Sequence, residues 1–104
     1  MKYLKTYEKI NEPQVGDYVI CDEKMYDKVN IFLNNNVGQL ISRDPDEYGF
    51  KDEYDYIVKY ENVPLDIKDY FLSNVRSFGR EEIIEFSSNK EDLEAILDAN
   101  KYNI

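Results

Sequence analysis

Three short strand-like runs between Val15 and Glu61, each punctuated by turn residues, constrain the fold more than any other feature of the sequence. Val15-Gly16-Asp17-Tyr18-Val19-Ile20-Cys21 opens on a Gly-Asp turn and is then apolar at both alternating positions, the pattern of a strand covered on both faces. Val37 to Arg43 is a second strand with Val37, Leu40 and Ile41 apolar, and Gly38 is read as a bend or bulge. Tyr54 to Glu61 alternates Tyr54, Tyr56, Val58 and Tyr60 against Asp55, Ile57, Lys59 and Glu61, which predicts a third strand with one aromatic-rich face.

The intervening residues fit this frame. Asp22 is suited to cap a helix over 23–34, whose stripe is Met25, Val29 and Phe32 at i, i+4 and i+7; Asn34-Asn35-Asn36 ends it. Asp44-Pro45 and Gly49 mark a hairpin connection. Pro64 suits the start of a short second helix, with Leu65, Tyr70, Phe71 and Leu72 expected to make buried contacts. Val75 to Phe78 and Glu82 to Phe86 predict two further strands. Ser88 followed by Glu91 matches a capping box before a terminal helix with Leu93, Ile96 and Leu97 as its stripe.

Five short strands in so little chain leave exposed edges unless the sheet curls, so the expected class is α+β: a small five-stranded antiparallel barrel with an inserted helix and a C-terminal helix. Gly16-Asp17-Tyr18-Val19, Gly38-Gln39-Leu40-Ile41, Tyr56-Ile57-Val58-Lys59-Tyr60 and Glu82-Ile83 together resemble an SH3-like small barrel. The resemblance covers residues 15–86 and implies no catalytic residues. Residues 1–14 are expected to form an N-terminal arm or short helix, and 87–104 the C-terminal helix and tail of the same single domain. The Lys, Asn, Ile, Tyr and acid-rich composition and the opening Met1-Lys2-Tyr3-Leu4-Lys5-Thr6-Tyr7-Glu8 also resemble small accessory proteins of tailed phages.

Composition excludes more chemistry than it suggests. Histidine is absent and Cys21 is the sole cysteine, which removes His-based triads, zinc sites and internal disulfides; Cys21 itself is expected in the core. No glycine-rich phosphate loop occurs. The expectation is a protein that is not an enzyme and carries no cofactor or metal. No apolar run approaches membrane-span length and no leader is recognisable, so a cytoplasmic protein without a membrane partner is expected. The net charge of −9 disfavours direct nucleic-acid binding and favours a protein partner with a basic surface. Acidity that serves only solubility fits the same number.

The partner-binding candidates are Asp46, Glu47, Tyr48, Asp52, Glu53, Tyr54 and Tyr56, an acidic hairpin running into a tyrosine strand, since carboxylates beside aromatic rings favour cationic groups. The alternative is that these tyrosines line the core. On the first reading the chain is an interaction module, in one version a phage-encoded inhibitor occupying the nucleic-acid groove of a host protein. Two other readings stand beside it. Arg76 and Arg80 around Phe78 would form a local basic patch on a nucleic-acid-associated barrel. Asp44, Asp46, Tyr48, Gly49, Asp52 and Asp55 match part of a calcium-loop spacing, with Tyr at the fifth position and Asp rather than Glu at the twelfth.

Overall fold

The computed structural model describes residues 12–44, 48–49 and 55–102, with side chains to residue 99. It is an α+β fold with a five-stranded antiparallel sheet and two α-helices. The elements are β1 (Tyr18–Cys21), α1 (Asp27–Asn34), β2 (Gly38–Ser42), β3 (Tyr56–Lys59), a long 3₁₀ helix (Leu65–Tyr70), β4 (Val75–Phe78), a short 3₁₀ turn (Arg80–Glu82), β5 (Ile83–Ser87) and α2 (Lys90–Tyr102). The strands lie in the order β4-β3-β2-β1-β5. Bulges on β2 at Ile41 and on β5 at Ile84 bend the sheet, and the second turns Ile84 outward to half exposure.

The two helices cover opposite faces. Val19, Cys21, Leu40, Tyr56, Val58 and Tyr60 point to one side, where they pack with Val29, Phe32 and Leu33 of α1, Ile67 of the long 3₁₀ helix, and Phe71. Tyr60 is the hub: Phe32, Phe71 and Phe78 meet its ring at centroid distances of 5.5, 6.0 and 6.4 Å in tilted or edge-on geometry. Tyr18, Gln39 and Lys59 alternate with those core residues and line a groove with Lys90, Glu94 and Leu97 of α2. That places α2 on the reverse face, where Ile20, Ile57 and Leu93 are buried. Burial of β1 on both faces agrees with its sequence.

The sheet does not close into a barrel. Among the described residues β4 pairs only with β3, and β5 only with β1. The short 3₁₀ turn carries the chain from one edge strand to the other, and Phe78 and Ile83 enter the same core, so side chains fill the opening that a ladder would have closed.

Other expectations shift locally. The first helix begins at Asp27 and not at 23, because Glu23 turns inward; Met25 therefore lies before the helix and is 77% exposed. The second helix is 3₁₀, whose three-residue turn brings only Ile67 inward, with Phe71 just beyond; Leu65, Tyr70 and Leu72 stand exposed. Gly38 is no bulge. It pairs regularly with Val19, and its missing side chain makes room for Val58 and Tyr60. The cap of α2 is Asn89, whose Oδ1 accepts from the Glu91 N–H at 3.1 Å, while Ser87 Oγ accepts from Asn89 N–H and donates to Asp92. Ser73 and Asn74 adopt left-handed backbone in a two-residue turn closed by reciprocal Leu72–Val75 hydrogen bonds, the geometry that matches a twisted hairpin.

At the centre of the core, the Tyr60 hydroxyl is buried beside the Cys21 thiol without a partner in hydrogen-bond geometry. Burial pushes the Cys21 thiol up to about 12 and raises Tyr60 as well. Tyr60→Phe removes an unsatisfied group and keeps the ring, so it is expected to leave stability unchanged or raise it by about 1 kcal/mol in urea unfolding. A loss of that size would show that the hydroxyl has a partner.

Candidate interaction surfaces

Of the seven partner-binding candidates, Asp46, Glu47, Asp52, Glu53 and Tyr54 lie outside the described residues. Tyr48 is half-buried. Tyr56 is 3% exposed: the Arg43 guanidinium covers its ring at 4.0 Å, and its hydroxyl donates to Glu12. Burial raises the Tyr56 phenol, the Glu12 bond adds to this, and Arg43 opposes it. This ring is structural, as the alternative reading of the tyrosines has it. Asp46 and Asp52 of the calcium-like spacing are outside the described residues, and Asp55 stands 4.0 Å from Arg43.

The exposed aromatic groups lie elsewhere. Tyr26, before α1, and Tyr70, at the end of the long 3₁₀ helix, approach to 4.5 Å between ring centroids and are each 39% exposed. One buried ion pair sets both backbones. Arg76 Nη2 lies 3.3 Å from Glu23 Oε1; Glu23 Oε2 accepts from the Tyr26 N–H at 2.7 Å, and Arg76 Nη1 donates to the Tyr70 carbonyl at 2.7 Å. The Glu23 N–H in turn donates to Asn30 Oδ1. The Glu23 side chain is 5% exposed and that of Arg76 is 19%, and the guanidinium carbon lies within 6.0 Å of the Phe71 and Phe78 ring centres. Nearby, burial raises the half-buried Glu82 carboxyl, against the opposing hydrogen bond it accepts from Gly79 N–H.

Arg76 is therefore occupied inside the fold, and Arg80 donates to the Ile83 carbonyl and sits over Phe86. The acids are unevenly placed. Residues 80–98 hold seven acids against Arg80 and Lys90, and Glu81, Glu85, Glu91, Asp92, Glu94 and Asp98 are exposed. Glu91, Glu94 and Asp98 share one side of α2 at i, i+3 and i+7. Their axial steps of ~4.5 and ~6 Å set three carboxylates in a row, more widely spaced than the ~3.4 Å per phosphate along one DNA strand. That spacing is visible in the sequence, but it looks like the solvent face of any helix until its neighbours are known.

Among the described residues no group of His, Cys, Asp and Glu is arranged to hold a metal ion, and no helix is long and apolar enough to cross a membrane. Comparison with known protein families, curated proteins and solved structures finds no match.

Proposed function

We propose that the chain is a non-enzymatic interaction module of the SH3-like small-barrel kind, resembling tailed-phage accessory proteins, which binds the basic, nucleic-acid-binding surface of a host protein and blocks it. The bent five-stranded sheet, with its last strand returning beside the first, supports the barrel kinship. The observation that carries the functional reading is the acidic face formed by α2, β5 and the short 3₁₀ turn. It gathers a net five negative charges on one stretch of chain, with three exposed carboxylates in a row on a rigid helix. Electrostatic attraction of this kind speeds encounter and weakens with salt.

An arginine decapeptide immobilised on a biosensor is the probe. Wild-type protein is expected to bind at low salt and to lose at least roughly tenfold in affinity at about 500 mM salt. Neutralising Glu91, Glu94 and Asp98 together is expected to weaken binding far more than neutralising exposed Asp55, Asp66 and Asp69, which removes the same charge elsewhere. Equal effects would mean that net charge alone acts. An absence of binding at low salt would remove the reading altogether.

A further inference from the structure

Six of the eight large apolar side chains exposed among the described residues fall on two touching segments. Met25, Tyr26 and Ile31 lie on α1 and its entry; Leu65, Tyr70 and Leu72 lie on the long 3₁₀ helix and just after it. Tyr26 meets Tyr70 in a tilted ring contact at one end. Ile31 and Phe32 face Pro64 and Ile67 across a groove at the other. Between the two segments runs one groove with apolar walls, flanked by Lys28 on the α1 side and Asp66 on the 3₁₀ side, and grooves of this kind mark interaction sites.

Its charge identifies the occupant. On the α1 side, Lys24 and Lys28 outweigh Asp27; on the 3₁₀ side, Asp66 and Asp69 outweigh Lys68, and all six are exposed. The patch is neutral overall on a chain of net −9, and its two halves carry opposite signs. A basic partner is drawn to the face at 80–98 and gains nothing here. A second copy, which the rest of the surface repels, can approach this patch. We propose that the patch is a two-fold contact with a second copy of this chain. A two-fold axis sets the α1 side of one copy against the 3₁₀ side of the other, so each positive half meets a negative half. The Glu23–Arg76 pair beneath fixes the Tyr26 and Tyr70 backbones before contact, which reduces the ordering cost.

Sedimentation of the full chain from about 5 to about 500 µM tests this. The expected result is a dimer that tightens as salt rises, because screening relieves repulsion between two chains of net −9, the opposite sign to that expected for the basic partner. Ile31 lines the groove and is 63% exposed, so Ile31→Asp leaves the core intact; with unchanged circular dichroism it is expected to weaken the dimer at least roughly tenfold. Ile84→Asp, on exposed β5, is expected to leave it unaltered. A monomer at every concentration, or a dimer indifferent to Ile31→Asp, overturns the proposal.

Discussion

Replacing Arg76 with methionine is expected to cost about 3–5 kcal/mol of unfolding free energy, the usual result of stranding one partner of a buried ion pair. Glu23 is only 5% exposed; without the guanidinium its carboxylate keeps the Tyr26 N–H and little else. The Tyr70 carbonyl loses its donor in the same step. Methionine retains much of the stem packing against Phe71 and Phe78, so the loss isolates the charge. Combining Arg76→Met with Glu23→Gln removes the stranded charge and is expected to recover a large part of the loss. Urea unfolding of the two single variants and the double gives the coupling. A cost below about 1 kcal/mol for Arg76→Met would mean that water reaches Glu23 and that the pair organises nothing.

Gly38→Ala carries the second largest expected effect. A Cβ at this position would stand 2.5 Å from Val58 Cγ1 and 2.7 and 2.9 Å from two Tyr60 ring atoms. The Tyr60 ring is held by Phe32, Phe71 and Phe78 and cannot swing away without disturbing them. Overpacking of this kind costs about 1–3 kcal/mol. Backbone strain plays no part, because Gly38 does not use the left-handed region open to glycine. Val58→Ala supplies the check: it destabilises alone, but in the Gly38→Ala background it removes the nearest clash, so the double variant is expected to be more stable than the two single losses predict. Additive losses would place the strain elsewhere.

These two sites also mark where sequence reasoning stops. Short apolar runs announced β1, β4 and β5 and alternation announced β3, and the double-sided burial of β1 follows from four consecutive residues able to sit inside. The C-terminal helix was equally plain; only its cap moved, from Ser88 to Asn89, since both residue types suit the position. Glu23 could not be read. A glutamate after a strand signals solvent or a helix start, and the partner that draws it inward lies at Arg76, with α1, two strands and a 3₁₀ helix between them. The tyrosines divide for a similar reason. Tyr56 and Tyr60 lie on and beside a strand covered on both faces, whereas Tyr26 and Tyr70 meet only because α1 and the long 3₁₀ helix pack together. No local periodicity reports such a meeting. The candidate surfaces were legible as charge and not as place: the excess of acid is in the composition, but its separation from a neutral apolar patch appears only once α1 and α2 are known to cover opposite faces.

The strand order has a consequence in time. β1 sits between β2, which follows it closely, and β5, which lies near the far end of the described chain. During synthesis, β1 to β4 are all available as a meander while the outer edge of β1 still lacks its ladder. That edge is covered only when residues 83–87 arrive and Tyr18 meets Ser87. Such long-range pairing slows folding, and the half-made sheet presents an open hydrogen-bonding rim in the interval. The segment that ends this vulnerable period is the acidic one, so the residues that complete the sheet also bring the charge that keeps neighbouring chains apart.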